Sequence, residues 1–491
     1  MEQTLTALAK FMTEQVRFIE NEEEDFFEGR TFEIADVESE ELLAVCVLDS
    51  SDQLVSFYYV ESYESGEMKA EEMPAVAGNF IKAFYPEGLE TYRLQSVIDL
   101  DDSCIVEYGI NEEKHGLYLP GIGFSVTIST AGRIVQFSYS HDPLDIRYPA
   151  QMITADEAKE KYAELIDFEL IIRKTDTANY VNGDDTYRLV YAVKEAAVDI
   201  PASGEEPDTV SEGNQFEAVL EDRVPEESLY EMLGVTDDHV KIGGQVEEGI
   251  RTELWQHASL DIPDEIDLSS VYNEQMITIQ FDSATNSPVF IANVEGWQGE
   301  QESLEDQMLK ARALDFLYKV FPRAKAHFLL EFEEPEEEWL NEFDDGEEVE
   351  EPEEEWETFC DEDLEEVEEE DSKVFYFHYH VGGIPVEGCV TAIQVGLYSG
   401  HIISASVEPA DETPFLKLNT EPALTKAQAK ELLMQKLQME LAMANEFDEE
   451  GESFYQLTYL PSYPETTGHI QMIDAENGKG YFVDTGDSIF Y

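Results

Sequence analysis

Positive charge is what this chain has least of. It carries 29 Lys plus Arg against 111 Asp plus Glu, a formal net charge of −82 over 491 residues. Like charges repel and no phosphate counterions would be released, so nucleic acid and anionic membrane are disfavoured as direct partners. Cysteine is scarce as well. Cys46, Cys104, Cys360 and Cys389 are scattered and form no CxxC. Three of them fall in expected strands, so buried free thiols in a reducing compartment are expected. A Cys46–Cys104 bridge across neighbouring strands is the alternative. No apolar run of about 18 residues occurs, so no helical membrane span is expected. The opening MEQTLTALAKFMTEQVRFIE has neither a basic start nor a long apolar stretch. The reading is therefore a cytoplasmic protein without a signal peptide, with the cell envelope as the alternative.

Catalytic signatures are missing too. There is no HExxH, no GxSxG and no GxxxxGK[ST]. Gly243–Gly244, Gly382–Gly383 and Gly478–Lys479–Gly480 read as turns. Cys389 with His378 or His401 would make a nucleophile and base, but Cys389 opens a hairpin, where packing is the default. Paired carboxylates say nothing in so acidic a chain. The expectation is no catalytic residue, no cofactor and no enzyme activity.

What the chain does have is a repeat. Val374 to Val381 alternates with a period of two, which makes a strand with Phe375, Phe377, Tyr379 and Val381 on one face. Val374, Tyr376, His378 and His380 take the other. Gly383–Ile384–Pro385–Val386–Glu387–Gly388 follows, then a hairpin over Val390–Leu397 and Ile402–Val407 turning at Ser399–Gly400. Thr425 with Gln428 is a capping box that opens a helix expected to run to about Leu441. The same plan stands at Ile105–Tyr108, at Gly116–Leu117–Tyr118–Leu119–Pro120–Gly121, and at the hairpin around Ala131–Gly132. It continues with the box Thr154/Glu157. Agreement of strand, hairpin, cap and closing turn in one order marks an internal repeat. Two weaker copies lie at Leu42–Val60 with a helix at 71–84, and at Met276–Val294 with a helix at 303–320, each running on into strand at Thr91–Leu94 and His327–Leu330. Pro86 and Pro322 stop those helices.

The pattern strand, G-[IL]-x-[VL]-x-G, hairpin with a glycine turn, capped helix resembles PepSY-like domains. In tandem it is similar to the YcdB/YcdC repeat proteins. Gly116, Leu117, Leu119, Gly121 and Gly132 carry the resemblance in one copy, and Gly383, Ile384, Val386, Gly388 and Gly400 in the other. It implies an α+β fold of tandem PepSY-like units, each a β-hairpin, a helix and two further strands, with the helix on one face of an antiparallel sheet. Four units arranged as two pairs are expected. The organisation read from this is an N-terminal helix in 1–30, a first pair in 31–205, a connector with a short helix in 206–270, and a second pair in 271–491. The resemblance also implies a non-catalytic, inhibitory or binding role, and it brings no catalytic residues.

Glu331 to Asp371 interrupts the second pair with 26 acids and no Lys or Arg, yet most of the acidity lies outside it. Trp339, Phe343, Trp356 and Phe359 punctuate this stretch. One reading is a solvated loop with a few anchors; another is a docking segment for a basic partner; a divalent-cation site is a third, although EF-hand spacing is absent. His378 and His380 share a strand face and could ligate a metal together, but no third ligand stands at recognisable spacing, so surface or packing roles are the default. Tyr58, Tyr59, Tyr139, Tyr376 and Tyr379 lie on strands. If a helix covers one face of each sheet, the other face packs against a second sheet or takes a peptide or protein. The functional expectation is a protein- or peptide-binding repeat protein. The alternatives are a structural or envelope-associated protein without a ligand, or a hydrolase whose site sequence does not reveal. The oligomeric state is not legible.

Overall fold

The computed structural model describes residues 1–12, 15–21, 29–37, 39–60, 66–100, 102–141, 145–194, 199–205, 215–217, 220–247, 249–260, 275–294, 302–332, 370–407, 413–415, 417–448, 451–466 and 468–483. The fold is mixed α+β, mostly sheet with few helices. Trp339, Phe343, Trp356, Phe359 and Cys360 lie outside the described residues.

The chain opens with helix α1 (Glu2–Leu8) and a meander of β1 (Val16–Glu20), β2 (Arg30–Asp36), β3 (Leu42–Leu48) and β4 (Leu54–Tyr59). Helices α2 (Met73–Phe84) and α3 (Gly88–Thr91) lead to a second meander, β5 (Arg93–Asp99), β6 (Ser103–Asn111), β7 (Tyr118–Ser129) and β8 (Ile134–Ser140). The helix expected in residues 1–30 is therefore short, and Val16–Glu20 is strand. Val16 and Phe18 alternate onto the core, a period of two rather than 3.6. The two meanders do not stack face to face. Their last strands pair, Phe57 opposite Phe137, giving one sheet of eight in the order β1-β2-β3-β4-β8-β7-β6-β5. Edge pairing satisfies the backbone groups that stacking would have left open.

Helix α2 covers one face of this sheet. Met73, Ala77, Phe80 and Ile81 are buried, the i, i+4, i+7, i+8 stripe of an amphipathic helix. They meet Phe57, Val106, Val126 and Phe137. Cys46 and Cys104 belong to the same core as free thiols. They stand on β3 and β6 with β4, β8 and β7 between them, so the alternative of a bridge fails. Burial pushes the Cys46 thiol up to about 12 and, with help from Asp99, that of Cys104 to about 11.

Next come β9 (Ile146–Arg147), α4 (Ala155–Leu165), β10 (Phe168–Lys174), β11 (Tyr187–Val193), β12 (Ile200–Pro201), β13 (Gln215–Glu217) and α5 (Leu229–Met232). The eight-strand order then recurs. β14 (His239–Glu247), β15 (Ile250–His257), β16 (Ile277–Asp282) and β17 (Pro288–Asn293) are followed by α6 (Asp306–Val320) and α7 (Ala324–His327). After them come β18 (Phe328–Phe332), β19 (Ser372–Val381), β20 (Ile384–Gly396) and β21 (Ile402–Ser406), with β21 pairing β17. Helix α6 buries Leu309, Ala313, Phe316 and Leu317, the spacing used by α2. β13 adds a strand outside β18. The chain ends in α8 (Lys426–Lys436), β22 (Gln438–Phe447), β23 (Ser453–Ser462), β24 (Ile470–Asp474) and β25 (Gly480–Phe482). Helix α8 stops sooner than its periodicity predicts, because Met439 and Met443 continue the burial on a strand face instead. Both expected capping boxes form. Thr154 Oγ1 accepts from the Glu157 amide at 3.2 Å and Thr425 Oγ1 from the Gln428 amide at 3.3 Å. Both glycines of the repeated motif have positive φ: Gly116 at 73°, Gly121 at 79°, Gly383 at 87° and Gly388 at 74°. Nothing lies within 4 Å of a Cβ built at Gly388, so conformation rather than space demands glycine there.

Each eight-strand array is followed by a helix–hairpin tail, α4 to β12 after the first and α8 to β24 after the second, and the two tails exchange their last strands. β12 pairs with β23, Ile200 opposite Tyr459, and β24 pairs with β11, Ile473 opposite Tyr191. The pins are reciprocal. Tyr191 Oη donates to the Leu424 carbonyl at 2.8 Å, and Tyr459 Oη to the Ile153 carbonyl at 2.8 Å. Lys430 Nζ donates to the Ile166 carbonyl at 2.9 Å, and Lys159 Nζ to the Leu437 carbonyl. Each lysine thereby ties down a carbonyl at the C-terminus of the other tail's helix. Each tail also rests on the opposite array. Ile172 of β10 pairs with Val386 of β20, while Tyr455 Oη of β23 donates to the Pro120 carbonyl of β7 at 2.7 Å.

Candidate functional site

The tyrosines divide between faces. Tyr59 and Tyr139 pack on the core under α2, and Tyr379 is 4% exposed in the core of the second array. Tyr58 and Tyr376 point the other way, at 45% and 39% exposure. The strand alternation places the three sheet residues Tyr376, His378 and His380 on one face of β19, but each histidine has its own partner. His378 Nε2 lies 2.6 Å from Glu331 Oε2, and its ring meets the Phe216 ring edge-on at 4.9 Å. His380 Nδ1 accepts the Gly383 amide at 3.0 Å and shapes the β19–β20 turn. Among the described residues no group of three or more His, Cys, Asp or Glu is placed to hold a metal.

Burial, and then the nearby His327, lower the His380 pKa below the ordinary 6.5. A depressed histidine binds more protons unfolded than folded, so its contribution is present above pH 6.5 and is lost as pH falls through the folded value. Urea midpoints measured from pH 7 to pH 5 are expected to drop, and less steeply in His380→Gln. Equal slopes in the two proteins would remove His380 as a cause.

Two further polar groupings are self-contained. A cavity of about 170 Å³ lies between α5, α6 and the β20–β21 turn, lined by Glu227, Glu231, Asp315, Arg312 and His401. Its carboxylates are already held: Arg312 sits 2.8 Å from Glu227, Arg223 3.0 Å from Asp315, and Glu231 closes the cap on Ser228. Glu253 is buried at 6% exposure, against Lys241 at 3.0 Å, Tyr230 at 3.0 Å and Trp255 at 3.2 Å. Burial raises its pKa, but the hydrogen bonds from Lys241, Tyr230 and Trp255 outweigh this and leave it lowered. No motif could have announced this network, because Lys241 and Tyr230 reach β15 from two other elements, β14 and α5.

Among the described residues an accessible face lies on the first sheet away from α2. Strand register puts Ile19, Glu33, Val45, Tyr58, Gln136, Thr127, Ile105 and Ile98 in one row across all eight strands. A second row is made of small hydroxyls, Ser56 beside Ser138 beside Ser125, ending at Glu107 and Ser96. Between them runs Cys46, Phe57, Phe137, Val126 and Val106, pointing into the core. Tyr58 was recognisable in sequence by its strand setting. The serine row was not, because serine at alternate positions reads equally as an ordinary solvated face.

Comparison with known proteins agrees with this layout. Residues 17–141 match the family described as "YcdB, YcdC repeated domain", which is the span of the eight-stranded sheet. The chain is 23% identical over 465 residues to YcdB of Bacillus subtilis (strain 168), covering 91% of this chain and 90% of that protein. It is 19% identical over 417 residues to YcdC of the same organism, covering 82% of each. Among solved structures the Bacillus megaterium YpeB C-terminal domain is similar at a TM-score of 0.26 and 13% identity, over 40% of this chain and 88% of that one. No described helix is long and apolar enough to cross a membrane.

Proposed function

We propose that this chain, a YcdB/YcdC-type repeat protein, is a non-catalytic module that binds a protein or peptide. The observation that carries the reading is the accessible face of the first sheet, with Tyr58 and Ile19 at 45% and 40% exposure opposite a face closed by α2. A flat sheet face with aromatic and aliphatic side chains at the surface is suited to recognising another polypeptide. We read the architecture as four PepSY-like units in two pairs, with the first pair drawn from Val16 and the second drawn from His239, since β14 and β15, which fall within the 206–270 expected as connector, pair into the second sheet. The recurrence of the eight-strand order and the matching α2 and α6 stripes support that division. A cytoplasmic setting is part of the proposal, and a role without catalysis is too.

The acidic stretch with Trp339, Phe343, Trp356 and Phe359 is the competing docking element. The experiment is affinity capture from native lysate at physiological salt, using the intact chain beside one lacking residues 333–369. A partner held by both places recognition on the sheets; one held only by the intact chain places it in the acidic stretch. No enriched partner with either would sink the binding reading in favour of a structural role.

A further inference from the structure

The internal repeat allows one face to be compared with its own counterpart. In the second array the row equivalent to Glu33, Val45 and Tyr58 is Leu254, Thr278 and Ala292. Those three are 0%, 0% and 1% exposed, whereas Tyr58 is 45% exposed. Along this row the same surface of the same fold is closed in one half and, at Tyr58, open in the other.

We infer that the open face of the first sheet is the seat of an extended basic segment of another protein, lying across the strands over Ser56, Ser138 and Ser125. This rests on the binding reading above and adds its place and chemistry. Charge selects the occupant. Glu33 and Glu107 both belong to this face, and neither has a Lys or Arg partner among the described residues. Glu107 is positioned by the Ser96 hydroxyl, which donates to it at 2.6 Å. A second copy of the chain would bring a charge of −82 against its equal, so cations from a different molecule are favoured. Geometry sets the spacing. From β2 to β6 is five strand steps, or about 24 Å at about 4.8 Å each, which an extended peptide covers in roughly seven residues at about 3.3 Å each. The serines leave a floor low enough for backbone to lie on, and their hydroxyls both donate and accept. Tyr58 and Val45 supply the apolar wall beside it.

The test is calorimetric titration of the full chain with two synthetic octapeptides of one composition, alternating Ser and Val. One carries Lys at both ends and the other has the two Lys adjacent. The end-placed peptide is expected to bind at 1:1, and at least tenfold more tightly than its isomer. Glu107→Gln and Ser138→Trp are each expected to weaken it at least tenfold, while Glu160→Gln, which removes an exposed charge from α4, leaves it unchanged. Equal binding of the two isomers, equal loss from Glu160→Gln, or no binding at all overturns the inference. Capture of a lysate partner by the Ser138→Trp chain as well as by wild type would leave the binding function standing and move its site elsewhere.

Discussion

Severed in the connector between Glu205 and Gln215, the chain is expected to remain one particle. The tails are the reason. β11 is completed by β24 from the far half, and β23 by β12 from the near half. Tyr191, Ile473, Tyr459 and Ile200 meet at these seams with 5%, 1%, 7% and 0% exposure. Each such side chain contributes about 1.5–3 kcal/mol by leaving water, and each seam hydrogen bond about 0.5–1.5 kcal/mol more. The sum is ample to hold two fragments at micromolar concentration even after the cost of association. Co-expressed fragments should elute with the mass of the intact chain by size exclusion with light scattering. Two fragments that elute apart as folded monomers would show that the exchange is not what joins the halves.

Phe80→Ala should be the most damaging single change in the first array, at about 3–5 kcal/mol. Phe80 is 0% exposed, and its ring lies 4.8 Å from Phe11, 4.9 Å from Phe84 and 5.2 Å from Phe137. Truncation removes dispersion contacts on several sides at once and leaves a cavity ringed by aromatic groups that cannot collapse into it. The first array has its own core, while the second shares one with both tails. Urea unfolding followed by circular dichroism should therefore show one transition moving to lower denaturant while a second stays in place. A loss under about 1 kcal/mol, or a uniform shift of the whole curve, would contradict the packing described.

Local pattern carried far in this sequence. The capping boxes at Thr154 and Thr425, the glycines of the repeated motif and the alternation at Val374–Val381 each depend on neighbours within a few residues, and each was legible. The recurrence of strand and hairpin was legible for the same reason. Three things were not. Val16–Glu20 reads as helix because Leu5, Leu8, Phe11 and Met12 before it set a false period. The edge pairing of β4 with β8 joins Phe57 to Phe137, and no local signal marks which edges meet. The exchange of β12 and β24 is invisible, because Ile200 and Ile473 would read the same way had each stayed with its own hairpin. The accessible face of the first sheet was legible only in part: Tyr58 announced itself as a strand aromatic, but which face it occupied depended on where the helices settled.

The exchange also sets a timetable for synthesis. The first eight-stranded sheet needs nothing beyond Ser140 and can form while the rest of the chain is still being made. β10 and β11 cannot finish then, because the residue opposite Tyr191 is Ile473, which is made only after the whole second array. Contacts so distant along the chain form slowly, and until they do the half-made tail presents an open strand edge and an apolar surface. For that interval the nascent protein is its own hazard. Its heavy negative charge, which repels one unfinished copy from another, is suited to keeping those edges apart until the last strand arrives.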